Sequence, residues 1–325
     1  MKKQICAVAA FIAIALILVA IGIARKGKQT AKRQIAVIPK ATTHIFWQSV
    51  RAGAEKAARQ AGVKVLWVGP KRESDRDDQI QIIEDFIAKK VSGVVLTPLD
   101  SKALVPAVEK LFDKRIPCVV IDSGVDTDKY ASFIATDNYQ GGVMAARRMG
   151  EIINREGRII VVKYMPGSAS TTNRENGFVD TIKIEFPRIK IVDSKYAGDT
   201  VETALEVTED LLTKNPDIDG LYAPCSPPTI GAMRALETHK LAGKVKVVGF
   251  DMEKPMLDGL KTGVIDSFVV QNPYEMGYEG VKTLLEKLEG KEVPKLKHTG
   301  VKLITADNMN SRETRAFLKD YIGAQ

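Results

Sequence analysis

The stretch from Gly93 to Ser123, GVVLTPLDSKALVPAVEKLFDKRIPCVVIDS, reads as strand, helix, strand. Gly93–Thr97 and Cys118–Asp122 are short runs rich in β-branched residues, and between them Leu104, Val108 and Leu111 recur at helical spacing through Lys114. A unit of this size needs a right-handed crossover and leaves its two strands parallel. The same pattern extends outward on both sides. Ile35–Ile38 is a strand, followed by a helix whose apolar face is Val50, Ala54, Ala57, Ala58 and Ala61. Val63–Val68 is followed by a helix through Ile80, Ile83 and Ile87, and Ser132–Thr136 precedes Gly141-Gly142 and a helix to about Ile153. The second half repeats the pattern with strands near Ile159–Tyr164, Ile191–Tyr196, Gly220–Ala223, Val245–Phe250 and Ile265–Val270. That many strands exceed one core, because single cores stop growing at about 250–300 residues. The expectation is an α/β protein of two doubly wound parallel-sheet lobes, with no Pro/Ser-rich linker between them.

Composition narrows the function. With 325 residues, 45% hydrophobic and 27% charged, the chain is too apolar for intrinsic disorder. The formal charge of +8 is a property of the N-terminus. Lys2, Lys3, Arg25, Lys26, Lys28, Lys32 and Arg33 all precede the first acidic residue, Glu55, and the remainder is close to neutral. The charge therefore says nothing about nucleic acid. Ile5–Ala24 is uninterrupted by any charged residue and flanked by these cations, so residues 1–34 read as a signal peptide or an N-terminal membrane anchor. Either places the body outside the cytoplasm. Cys6 lacks the preceding Leu and small residues of a lipoprotein signal, and Cys118 and Cys225 read as free buried thiols.

In open parallel sheets, ligands bind beyond the carboxyl ends of strands. That rule selects His44, Phe46 and Trp47 after the first strand, and Asp122 and Ser123 after the fourth. From the second half it selects Arg174, Cys225 with Ser226, Asp251, and Gln271 with Asn272. Taken singly these have plainer roles. Phe46 and Trp47 suit a core, Asp122 and Asp251 suit turns, and Arg174 suits a solvated helix face. Taken together, aromatic faces, carboxylates, a guanidinium and an amide suit a small polyhydroxylated ligand. They are not a catalytic set. The phosphate-binding loop, the dinucleotide fingerprint and the nucleophile elbow are all absent, and His44, His239 and His298 have no metal-ligand spacing. No enzyme activity, cofactor or metal is expected.

At these positions the sequence resembles the type I periplasmic binding proteins, specifically the ribose/galactose-binding class of sugar receptors. The carrying residues are Ile35–Pro39 through His44-Ile45-Phe46-Trp47 to Gly53-Ala54, then Asp122-Ser123, Ala135–Asn138 with Gly141-Gly142, and Val248–Asp251. The likeness spans about residues 35–305 and extends to the effector domains of lactose-repressor-type regulators. It implies two lobes, 35–136 plus 272–299 and 137–271 plus 300–325, joined by three crossings near Asp137, Gln271 and Thr299-Gly300. It also implies capture of a ligand by hinge closure.

By the same resemblance, Phe46 and Trp47 sandwich a sugar ring and His44 bonds a hydroxyl. Asp122 serves from the first lobe and Arg174 from the second, with Asp251 and Gln271 near the crossings. Three positions depart from the ribose binders: Ser123 replaces an Arg, Cys225 replaces an Asn and is followed by Pro227-Pro228, and Tyr196 or Asp199 replaces an aromatic. These shift the expected ligand from ribose to another sugar or sugar-like molecule. The expected role is a monomeric receptor delivering its ligand to the permease of an ATP-binding-cassette importer. The alternative is a membrane-tethered sensor signalling to a chemoreceptor or sensor kinase. The apolar segment ahead of Ile35, where a repressor would carry a helix-turn-helix, disfavours a transcription regulator.

Overall fold

The computed structural model describes residues 33–321, so the apolar segment 5–24 and the cationic residues around it lie outside the described residues. In chain order the elements are β1 (Gln34–Ile38), α1 (Ile45–Ala61), β2 (Lys64–Trp67), α2 (Arg76–Ala88), β3 (Gly93–Leu96), α3 (Val105–Asp113), β4 (Cys118–Ile121) and β5 (Ser132–Thr136). There follow α4 (Asn138–Ile152), β6 (Gly157–Lys163), α5 (Ala169–Glu185), β7 (Ile189–Tyr196), α6 (Val201–Lys214), β8 (Gly220–Tyr222), α7 (Ser226–Thr238) and β9 (Lys246–Phe250). The chain continues through α8 (Lys254–Thr262), β10 (Ser267–Gln271), α9 (Pro273–Leu288), β11 (Leu296–Thr299), β12 (Val301–Thr305) and α10 (Arg312–Leu318).

Two sheets result, in the orders β11-β5-β4-β3-β1-β2 and β12-β10-β9-β8-β6-β7. Central strands such as β3 and β4 are buried on every residue, which is why they read as continuous apolar runs. Each sheet carries an apolar cluster on both faces.

The loop between β4 and β5 contains no helix, although the strands are parallel. Two features depart from the sequence reading. β11 and β12, the strands flanking the third crossing, emerge only here, because they are sheet edges with half-exposed residues and no apolar run. β12 is also antiparallel to β10, where the sequence reading has parallel sheets. The reason is directional. The carboxyl ends of the two sheets face each other, and a single residue, Gly300, separates β11 from β12. A strand passing straight from one sheet to the other must enter the second against its grain.

Equivalent places in the two sheets carry matching devices. Asp122 ends β4 with φ 61°, Asp251 ends β9 with φ 68°, and each N–H bonds the next strand over, to Ile134 O and Val269 O. Aspartate is among the few non-glycine residues that tolerate this left-handed backbone. Likewise α1 packs on α9 and α4 on α5 through glycines at the contact. A Cβ on Gly277 would lie 1.9 Å from Val50 O, and one on Gly142 would lie 2.0 Å from Arg174 O. Backbone cannot yield as a side-chain tip does. Gly277→Ala is therefore expected to cost about 1–3 kcal/mol by overpacking, read as a lower denaturation midpoint at unchanged m-value. Unaltered stability would show that the two helices can part freely.

Candidate functional site

Between the facing sheet ends lies a cavity walled by residues of both sheets' strand ends. Its wall includes His44, Phe46, Trp47, Asp122, Arg174, Cys225, Asp251 and Gln271. Ser123 does not line it. Its hydroxyl instead accepts the Ser170 N–H at 3.2 Å, at the start of α5, and so joins the two lobes.

Arg174, 2% exposed, is the best-organised group. Its Nε donates to Asn138 Oδ1 (2.8 Å), Nη1 donates to Pro224 O (2.9 Å) and lies 3.8 Å from Asp251, and the guanidinium rests on the Phe250 ring at 4.1 Å. Of the five N–H groups of an arginine this leaves the Nη2 pair unspent among the described residues. Asp251 is pushed above the usual carboxylate range by burial, against the pull of Arg174 and a 2.6 Å hydrogen bond from Gln271 Nε2. Gln271 Oε1 in turn accepts from Thr136 (2.9 Å), tying two of the crossings together. Asp122 pairs with Lys40 at 3.3 Å, both 4% exposed. The Lys40 ammonium also donates to Ser168 and Ser170 across the cleft at 3.3 and 3.2 Å, so its three protons are committed.

His44 caps α1: its Nδ1 accepts the Phe46 N–H, which puts the neutral ring's proton on Nε2. Nε2 lies 3.0 Å from Glu253 and 3.2 Å from Ser226 Oγ, both across the cleft. Burial opposes a charged imidazole here, but Glu253 outweighs it and raises the pKa. His44 thus spends both nitrogens on the protein instead of on a ligand hydroxyl. Phe46 and Trp47 meet edge to face, 4.8 Å apart and inclined by 82°, so they cannot sandwich a ring between them. The aromatic opposite them is Tyr164, which lines the cavity from the end of β6. Tyr196 is 47% exposed and faces elsewhere.

A segment that sequence reasoning passed over closes one side. Glu73 accepts from Trp47 Nε1 at 2.8 Å and lines the cavity together with Tyr164. Its neighbours Arg72 and Ser74 both donate to Asp199, at 2.8 and 3.2 Å. Burial would raise the Asp199 pKa, but these two bonds hold it below the usual range. Lys40, Glu73 and Tyr164 all sit at or just beyond carboxyl ends of strands, so the rule that found Asp122 also reaches them. Only their contacts across the cleft reveal what they do. Among the described residues no group of His, Cys, Asp and Glu is arranged to hold a metal ion, and no helix is long and apolar enough to cross a membrane.

Comparison with known proteins gives a consistent result. Residues 35–292 match a family model described as a periplasmic binding protein domain. The ribose import binding protein RbsB of Bacillus subtilis is 30% identical over 261 residues, covering 80% of this chain and 83% of the relative. The D-allose-binding periplasmic protein of Escherichia coli is 29% identical, covering 84% and 91%. Among solved structures, a carbohydrate transporter solute binding protein from Agrobacterium radiobacter, in complex with D-arabinose, superposes with a TM-score of 0.86 at 38% identity, covering 89% of this chain and 99% of that one. A transporter solute binding protein from Agrobacterium vitis with bound D-fucose gives 0.84 at 38% identity, covering 87% and 98%.

Proposed function

Since this chain belongs to the periplasmic binding protein family, a family of substrate-binding proteins and not of enzymes, we propose that it captures a monosaccharide between its two lobes outside the cytoplasm and delivers it to an ATP-binding-cassette importer. One observation carries this reading: a single cavity, walled by both lobes, combines aromatic rings with the free Nη2 group of Arg174 and the carboxylates of Asp122 and Asp251. Vicinal hydroxyls pair well with such groups, and ring C–H faces pack on aromatics. Relatives named for ribose, allose, arabinose and fucose support the ligand class. The division into 35–136 plus 272–299 and 137–271 plus 300–325, export by residues 1–34, and action as a monomer complete the proposal.

Hinge closure is part of this reading, and the placement of the candidate ligand groups supports it. A ligand drives closure only if it touches both lobes, and Asp122 and Arg174 stand on opposite sides. Thermal unfolding with D-arabinose, D-fucose, D-ribose and D-allose tests the reading. At about 1,000 times Kd a true ligand adds about 4 kcal/mol, a shift of roughly 10 °C. No shift with any monosaccharide would remove the sugar reading.

Asp199 lies outside the cavity wall yet bridges the lobes. Asp199→Asn is expected to raise the ligand's dissociation rate roughly threefold while leaving the association rate unchanged, and added salt should shrink the difference. Stopped-flow tryptophan fluorescence with the sugar that binds reads both rates. Equal dissociation rates would show that Arg72 and Asp199 do not hold the closed form.

A further inference from the structure

The proline pair after Cys225 gives one wall of the cavity an unusual chemistry. The N-terminus of a helix following a parallel strand ordinarily offers free N–H groups to a ligand. At the start of α7, Pro227 and Pro228 have none. The next N–H, that of Thr229, is spent on the Cys225 carbonyl at 3.2 Å, and the Thr229 hydroxyl bonds the same oxygen at 2.7 Å. The Ser226 hydroxyl is engaged by His44. Of the first turn only the Ser226 N–H remains.

Cys225 itself is 6% exposed, and no described residue hydrogen-bonds its sulfur. Burial raises its pKa well above the ordinary value, so the group stays a neutral thiol. A thiol is a weak donor and a weak acceptor. Cys225, Ser226 and Pro227 all line the cavity, and the Ser226 hydroxyl is already engaged by His44. Beyond the single Ser226 N–H and a weakly bonding thiol this wall has nothing with which to satisfy a hydroxyl, while a buried hydroxyl left unpaired is costly.

In an aldopyranose every ring carbon except C5 carries a hydroxyl, or at C1 the anomeric one. C5 carries a hydroxymethyl group in hexoses, a methyl group in 6-deoxyhexoses, and only hydrogen in pentopyranoses. We infer that Cys225 and Pro227 seat the C5 side of the sugar, so that the protein selects pentopyranoses and 6-deoxyhexoses over hexoses of the same ring configuration. This rests on the monosaccharide reading above and deepens it.

The test is isothermal titration of the full chain with three matched series. They are D-galactose, D-fucose and L-arabinose; L-galactose, L-fucose and D-arabinose; and D-allose, 6-deoxy-D-allose and D-ribose. Within a series the ring hydroxyls are identical and only the C5 substituent differs. In whichever series binds, the methyl or unsubstituted member is expected to bind about 10–100-fold more tightly than the hydroxymethyl member, the range over which an apolar pocket rejects an added hydroxyl. Cys225→Ser, which restores a hydroxyl at the wall, should narrow that ratio at least about fivefold.

A hydroxymethyl sugar that binds as tightly as its matched partners overturns the inference while leaving the sugar reading standing. A ratio unchanged in Cys225→Ser overturns the assignment to this wall. Absence of binding across all three series overturns the sugar reading itself, and the inference with it.

Discussion

Arg174→Ala is expected to destabilise the protein by about 3–5 kcal/mol, the cost of removing one partner of a buried ion pair, and to abolish measurable ligand binding. The guanidinium joins groups from three places in the second lobe: Asn138 at the start of α4, Pro224 before α7 and Asp251 after β9. It also covers the Phe250 ring. Without it, Asp251 is a buried carboxylate with only Gln271 to hold it, and two buried acceptors lose their donors. Arg174→Lys is not expected to rescue, because an ammonium lacks the planar fork that reaches several partners at once. Chemical denaturation together with titration of the sugar that binds checks both parts. Wild-type stability in Arg174→Ala would show that water replaces the guanidinium at little cost.

The neighbouring residue sets the second large effect. Glu175 is 3% exposed and accepts the Tyr164 N–H at 3.3 Å, and burial pushes its pKa up from 4.5 to about 7 despite that bond and the charges of Lys163 and Arg174. A carboxyl raised by folding binds its proton more tightly in the native than in the unfolded state. Between pH 4.5 and about 7 the native state thus holds more protons, and stability falls as pH rises across that window. At 1.36 kcal/mol per pKa unit the loss is about 3 kcal/mol in total. Glu175→Gln keeps an acceptor for Tyr164 and removes the charge. It should match the wild type near pH 4.5 and exceed it by about 3 kcal/mol at pH 8. Asp251 and His44, both also raised, contribute a decline of the same sign that the variant retains. The difference between the two proteins therefore isolates Glu175. Parallel stability curves across this pH range would refute the assignment.

Much of this architecture is legible in the chain because its strands report their own burial. GVVL at β3 and CVVI at β4 are buried on both faces and read as strands without further help. β11 escapes notice because an edge strand alternates with solvent and has no apolar run to show. The site is legible for a related reason. Candidate ligand groups sit at carboxyl ends of strands, so locating a strand also locates the residue beyond it, and Asp122, Cys225 and Asp251 follow from that rule, whereas Arg174 stands within α5, well past the end of β6. Ser123 obeys the same rule and still turns away from the cavity, since its hydroxyl is taken by the Ser170 N–H.

From its sequence alone this protein is determined as two parallel-stranded α/β halves of one design, with a polar and aromatic set of residues at their strand ends. Those features depend on local periodicity and chain direction, which are written residue by residue. Only the tertiary structure decides which strand ends meet. Lys40 against Ser168 and Ser170, His44 against Glu253, Glu73 against Tyr164, and Arg72 against Asp199 bring together residues far apart in the chain. Each pairing depends on how one sheet faces the other, and no periodicity within either half encodes that. The reversed direction of β12 has the same origin, because a strand that leaves one sheet for another facing it has only one way to enter.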